Sequence, residues 1–281
     1  MAVVKIKNGD NTLLRSITGF FLVFIITGAV LSGAYFFLLL MFTILLLSLN
    51  EFYRLFYDSN IQPRLTLGIF LSVVIWLSSF LVFLQSVNWL IIIILIPTVA
   101  SFFYIELFRK AHNPFINLAI TFMGIICITL PLLCFTFIAF LPNTKQAYQP
   151  LNILSYFFMI WASDTGAYIV GKAIGKHKLF MRISPGKTWE GCIGGALITL
   201  IVAFILSNFK MGILHNNWIT LTLIIVITGI LGDLTKSLLK RSLEIKDSGN
   251  ILPGHGGMLD RFDSLIGSAP FVFSYYLLQF F

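Results

Sequence analysis

Between Asp233 and Asp263 the sequence places five carboxylates (Asp233, Glu244, Asp247, Asp260, Asp263) among five cations (Lys236, Lys240, Arg241, Lys246, Arg261). If the stretch from Asp233 is helical, Asp233, Ser237, Lys240 and Arg241 fall at i, i+4, i+7 and i+8, on one face. A glycine-rich turn, Pro253-Gly-His-Gly-Gly257, then precedes Asp260 and Asp263, which share a face if the last helix begins there. Such a set suits phosphate chemistry. Carboxylates hold a hard divalent cation such as Mg²⁺, which keeps oxygen ligands and bridges phosphates. Lys and Arg neutralise the remaining phosphate oxygens. Glycines let backbone N–H groups approach an anion closely. Each piece has a plainer reading as a helix cap, a headgroup contact or a turn. None of those explains why all of them gather in one stretch.

A second stretch, Ser163 to Gly191, carries related signals. Asp164 lies inside the apolar run Leu151 to Val170, and a carboxylate within a span marks a functional site or an intramembrane ion pair. Tyr168 stands one turn away on the same face. Ser184 and Lys187 are candidate phosphate binders. Glu190 fits a site role or a first-turn acid favoured by the helix dipole. His255 fits a phosphate donor, an acid/base or an ordinary loop residue. Gly171-x-x-x-Gly175 and Gly191-x-x-x-Gly195 have the spacing of helix contact motifs.

These residues must be positioned by helices in lipid. The chain has 281 residues, 58% hydrophobic and only 11% charged. Soluble chains average about 45–50% apolar and about 25% charged. A soluble enzyme, a disordered tail and a disulfide scaffold are excluded. Cys127, Cys134 and Cys192 sit in apolar stretches and read as small buried hydrophobes. A span needs roughly 20 apolar residues. Candidates run at about 17–31, 34–49, 65–84, 88–108, 115–141, 150–173, 190–208, 217–232 and 264–281, with breaks at Ser32-Gly33 and at residues 85–88. The expectation is therefore an all-α polytopic membrane protein of about nine transmembrane helices. Its N-terminus is cytoplasmic and its C-terminus outside. With that arrangement 17 of the 19 Lys and Arg face the cytoplasm, and only Lys145 and Lys210 lie outside. The net charge of +8 is then topology, and no nucleic-acid partner is expected. The basic N-terminus leads into a retained first span, not a removed signal peptide.

Residues 1–150 read as a scaffold of about five helices. Their acids, Asp10, Glu51, Asp58 and Glu106, fall in the tail or near helix ends, where charge can reach water. Residues 151–281 read as the catalytic region, with cytoplasmic loops at 171–189 and 233–263.

The run Ser237-x-Leu-Lys240-Arg241-x-x-x-x-Lys246-Asp247-x-Gly-x-x-Leu-Pro-Gly-His255-Gly256-Gly257-x-x-Asp260-Arg261-Phe-Asp263 resembles the signature of the phosphatidate cytidylyltransferases, also called CDP-diacylglycerol synthases. Ser163-Asp164-Thr-Gly-Ala-Tyr168 and Ser184-Pro185-x-Lys187-Thr188-x-Glu190-Gly191 resemble the same family, with Gly186 as a departure where a bulkier residue is usual. Residues 1–150 match only in hydropathy. The resemblance implies the reaction CTP + phosphatidate → CDP-diacylglycerol + pyrophosphate with Mg²⁺. It also implies a homodimer in the inner cell membrane, with the active site at the cytoplasmic face.

On this reading Asp233 and Asp260 are the principal metal ligands. Asp263, Asp164 and Asp247 are second choices that could serve a second cation such as K⁺. Lys240, Arg241 and Lys246 hold phosphates of CTP or of the lipid, with Lys187 and Ser184 opposite them. His255 and Gly256 shape the triphosphate pocket, and Ser237 and Arg261 complete the binding set. Two rivals remain open: a CTP-dependent enzyme acting on an isoprenoid lipid, and a transporter for an anionic solute.

Overall fold

The computed structural model describes residues 8–57, 61–83, 95–141, 148–209, 217–252, 254 and 256–279. Of residues 8–16, 82, 83 and 95 it describes the backbone alone. The expected break at 85–88, the side chains of Asp10, Arg15 and Asp58, and Lys5, Lys7, Lys145, Lys210 and His255 lie outside this description.

Helices α1 (Asn8–Leu31) and α2 (Ala34–Arg54) fold back at Ser32-Gly33, as the length of the apolar run requires. Gly33 has φ +116°, a conformation that side-chain-bearing residues rarely adopt. Then come α3 (Leu65–Phe83), α4 (Leu95–Leu107) and α5 (Pro114–Gly124). A π-helical turn, Ile125–Thr129, joins α5 to α6 (Leu130–Ile138). The wider turn precedes Pro131, which has no N–H for the ladder. The C-terminal half contains α7 (Pro150–Ile174), strands β1 (Lys178–Phe180) and β2 (Ser184–Thr188), α8 (Trp189–Asn208), α9 (Trp218–Ser242) and α10 (Asp263–Leu277).

Among the described residues, five helical rods are long and apolar enough to cross a membrane: α2, the continuous rod Pro114–Ile138, α7, α8 and α9. The outward faces of α1 and α8 carry Phe20, Phe24, Ile193, Leu197 and Ile201, all exposed. Apolar surface on this scale would be a liability in water and is the expected surface in lipid. The protein is an all-α multi-pass membrane protein. Its core joins the two halves: Leu45 and Phe52 of α2 share one cluster with Phe135, Tyr156, Met159, Leu265 and Ala269.

Two expectations change. The span at 217–232 is only the first part of α9, which stays helical to Ser242. Leu and Lys are good helix formers, Leu234 is buried, and Leu239 packs against the main core cluster. The loop expected at 233–263 therefore shrinks to 243–262. The loop expected at 171–189 is the end of α7 followed by an antiparallel hairpin pairing Lys178 with Thr188 and Phe180 with Ser184.

The acids of the N-terminal half also differ from expectation. Glu51 and Glu106 are buried, not near water. Glu106 pairs with Arg64 at 2.9 Å and with Arg109 at 3.4 Å. Glu51 reaches across the fold into the loop before α10.

Candidate active site

Two helix pairs bring the polar residues together. In the first, α7 packs on α8 through the glycine spacings seen in the sequence. A Cβ at Gly191 would stand 2.8 Å from the Ala167 carbonyl oxygen, and one at Gly195 equally close to that of Ser163. In the second, α9 packs on α10 at Gly232 and Gly267, where a Cβ on either would meet the other's Cα. Small residues let helix backbones approach this closely. The consequence is that Asp164 on α7, Asp233 on α9 and Asp263 at the start of α10 face one cavity of about 600 Å³.

Nine of the expected site residues line that cavity: Asp164, Ser184, Lys187, Asp233, Lys240, Asp247, Asp260, Arg261 and Asp263. Tyr168 and Ser163 line it too. They come from three helices, one strand and the loop after α9, so their convergence is a tertiary fact. Asp164, Asp233 and Asp263 stand close enough to repel one another.

Each of two carboxylates meets a lysine. Lys187 Nζ stands 2.6 Å from Asp233 Oδ2, which locks the hairpin onto α9. Lys240 Nζ donates to Asp260 Oδ1 at 2.6 Å. The Ser248 N–H donates to Asp260 Oδ2 at 2.9 Å. Burial alone would push the Asp260 carboxyl up. Lys240 and Ser248 outweigh that and hold it below its ordinary range.

Other expected residues stand elsewhere. The Ser237 hydroxyl donates to Asp233 Oδ1 at 3.3 Å, behind the cavity wall. Arg241 spans from the Ile183 carbonyl to the Ile245 carbonyl and so ties the hairpin to the loop. Lys246 is exposed and does not line the cavity. Gly256 has φ +83°, and its N–H and C=O both pair with Leu252, closing the turn. Glu190 resolves to a structural role: it accepts from the Lys176 and His177 N–H groups and lies 2.6 Å from the His177 ring, sealing the base of the hairpin.

Two residues escaped the sequence reading. Lys236 is half-buried, with its ammonium out of solvent 6.0 Å from the Phe52 ring, and places a cation near Asp260 and Asp263. Glu51 holds the loop before Asp260 through the N–H groups of Met258 and Leu259. Its only signal in the sequence is a carboxylate at the end of an apolar run, the same signal that Glu106 gives.

Whether the acids suit Mg²⁺ is a matter of donor count. Among the described residues, no three His, Cys, Asp or Glu side chains form a ready-made metal cage. Mg²⁺ seldom uses one. It takes one or two carboxylates and completes its shell with water and substrate phosphate. Clustered carboxylates beside a cavity open to a polyphosphate fit that habit.

The chain is similar in sequence to known proteins over much of its length. The chain is 38% identical over 206 residues to the phosphatidate cytidylyltransferase of Haemophilus influenzae, a stretch covering 70% of this chain and 68% of that one. It is 44% identical over 168 residues to the Bacillus subtilis protein of that name, covering 59% and 58%. Against the Staphylococcus aureus (strain COL) protein it is 52% identical over 120 residues, covering 42% and 46%. Residues 13–280 match the sequence model of the cytidylyltransferase family, so nearly the whole chain, scaffold and cavity alike, belongs to that family.

Proposed function

We propose that the protein transfers the cytidylyl group of CTP to phosphatidate, giving CDP-diacylglycerol and pyrophosphate. The observation that carries this is the cavity. Five carboxylates, Asp164, Asp233, Asp247, Asp260 and Asp263, share it with Lys187, Lys240 and Arg261, between helices whose outer surfaces suit lipid. One substrate is a soluble polyanion and the other a lipid whose phosphate lies at the membrane interface. A polar cavity among lipid-facing helices is where both can meet.

Both substrates are anions and repel each other. Catalysis therefore depends on neutralising charge and aligning the partners more than on a protein nucleophile. A phosphate monoester has a second pKa near about 6 and is largely ionised at neutral pH. Its oxygen attacks the α-phosphorus of CTP in line, the bond to the bridging oxygen breaks, and pyrophosphate leaves. Ser237, already bonded to Asp233, is not needed as a nucleophile.

Lys187 and Lys240 have a double task on this reading. Without substrate each neutralises a carboxylate. With CTP bound they would turn to its phosphates, and Arg261 would join them from the loop before α10. Asp233 and Asp260, released from the lysines, would hold Mg²⁺, with Asp263, Asp164 and Asp247 in reserve for a second cation. The metal supplies charge neutralisation at the phosphates. Ser184 on β2 offers a hydroxyl to the phosphates from the hairpin side.

The finer topology belongs to the same proposal. Nine spans, a cytoplasmic N-terminus and an outer C-terminus put the hairpin and the 243–262 loop in the cytoplasm, where CTP is. The inner cell membrane and a homodimer follow from the family resemblance. Exposed Leu197, Ile201 and Phe204 on α8 would face lipid or a second copy.

The test is direct. Purified protein with labelled CTP and phosphatidate should yield labelled CDP-diacylglycerol on thin-layer plates. EDTA should abolish the product and Mg²⁺ restore it. Product formed only with an isoprenoid lipid would overturn the substrate assignment. Full turnover in EDTA would remove the metal from the mechanism.

A further inference from the structure

Glu51 comes from the half of the chain with no motif, yet its carboxylate lies inside the loop that carries Asp260. Oε1 accepts the Met258 N–H at 2.9 Å, and Oε2 accepts the Leu259 N–H at 2.8 Å. The Ser248 hydroxyl reaches Oε2 at 3.5 Å. The residue is only 3% exposed. Consecutive backbone N–H groups form an anion cradle. The cradle just after the glycine-rich turn, made by the Met258 and Leu259 N–H groups, is filled by a protein carboxylate.

Two glycines make the seat possible. A Cβ at Gly249 would stand 2.7 Å from Glu51 Oε1, and one at Gly257 would stand 2.6 Å from Oε2. From this seat the contacts run straight to the cavity. Ser248, touched by Glu51 through its hydroxyl, donates its own N–H to Asp260 Oδ2. Asp260 Oδ1 in turn accepts from Lys240.

We infer that Glu51 is a positioning residue for cytidylyl transfer, acting through residues 248–259 to set Asp260 and Lys240 at the cavity wall. The inference rests on the reading of that cavity as the reaction site. Both carboxylate oxygens are used, so the neutral isostere fails: Gln offers one acceptor and turns an NH₂ toward a backbone N–H. Asp keeps the charge but is one methylene short. Glu106 is the control. It is a buried carboxylate of the same half, and its partners Arg64 and Arg109 do not line the cavity.

The experiment uses the full chain purified in detergent, with phosphatidate in mixed micelles. It measures kcat, both KM values, the melting temperature and hydrogen exchange of peptides covering 248–262. Glu51→Gln should lower kcat by about 10–100-fold, the usual cost of losing a group that orients a metal ligand. The KM for phosphatidate should stay near wild type, and exchange should quicken at Met258 and Leu259. Glu51→Asp should recover part of kcat. Glu106→Gln should lower the melting temperature and leave kcat alone.

Gly257→Ala pushes the same contact from the loop side. It should reproduce the kcat loss, and it decides the matter if Glu51→Gln does not fold. Wild-type kcat in Glu51→Gln or in folded Gly257→Ala would overturn the inference. So would a loss matched by Glu106→Gln with unchanged exchange in the loop. If wild-type protein made no CDP-diacylglycerol, the functional reading would fall. Exchange at Met258 and Leu259 would still decide whether Glu51 holds the loop.

Discussion

In the N-terminal half Glu106 is clasped by Arg64 and Arg109, and Glu51 by two backbone N–H groups and a hydroxyl. In the C-terminal half Asp233 and Asp260 each meet one lysine at the wall of an open cavity, with Asp164 and Asp263 beside them. Both halves bury acids in a protein that has few. The difference lies in what surrounds them. A carboxylate whose donors belong to the fold stays where it is and holds helices together. A carboxylate whose partner is a flexible lysine facing a cavity can exchange that partner for a metal or a substrate. On the proposed function, buried acids in this protein would have two uses, separated by the local donor set.

The sharpest way to break this contrast is to neutralise a cavity acid. Asp233→Asn or Asp260→Asn keeps size and removes charge. Either should cut turnover by roughly 10²–10³-fold, as loss of a preorganised electrostatic group does. The protein should still elute as a folded species in size-exclusion chromatography. Near-normal incorporation of labelled CTP would place that acid with the structural ones.

Next comes the seam that brings the cavity walls together. Gly195→Val drives a branched side chain against the Ser163 carbonyl. Overpacking of this kind costs about 1–3 kcal/mol. Here it should also lower activity, because α7 carries Asp164. A melting curve and a turnover assay on one preparation would read both effects. Unchanged values in both would mean that the α7–α8 contact does not set the cavity.

The structural acid should behave in the opposite way. Glu106→Ala leaves Arg64 and Arg109 without their carboxylate. A loss of about 1–3 kcal/mol of stability is expected, with kcat unchanged. Lower kcat at full stability would erase the distinction between the halves.

Lysine at the cavity should affect binding more than folding. Lys240→Met should raise the KM for CTP about tenfold, close to one charge-assisted hydrogen bond. Unchanged KM for both substrates would remove Lys240 from phosphate binding.

The smallest effect concerns pH. The Asp260 carboxyl is held below its ordinary value of 3.8. Its contribution to stability is therefore present above that value and lost as pH falls through the folded one. The melting-temperature gap between wild type and Asp260→Asn should hold steady between about pH 6 and pH 8 and shrink in acid. A gap that widened in acid would mean that Lys240 does not stabilise the ionised form.

Much of this was legible without coordinates. Few charges and long apolar runs dictate helices in lipid, because only such helices satisfy every backbone group there. Ser32-Gly33 marks the first hairpin because 33 uncharged residues exceed one span. The acids and cations after residue 160 announce phosphate chemistry by their density. What the sequence left unread has a physical cause in each case. Helix α9 outruns its apolar stretch because packing, not hydropathy, decides where a helix ends. The 178–188 hairpin has no strong strand pattern, being held by Lys187 to Asp233 and by Glu190 at its base.

The order of residue types along the chain was enough to fix the solvent, the helices and the kind of ligand, since these depend on local composition and short spacing. Which acids face a cavity and which are locked away depends on contacts between residues up to some 200 positions apart. Glu51 and Glu106 look alike in sequence. Only the fold puts one beneath the loop of Asp260 and the other between two arginines.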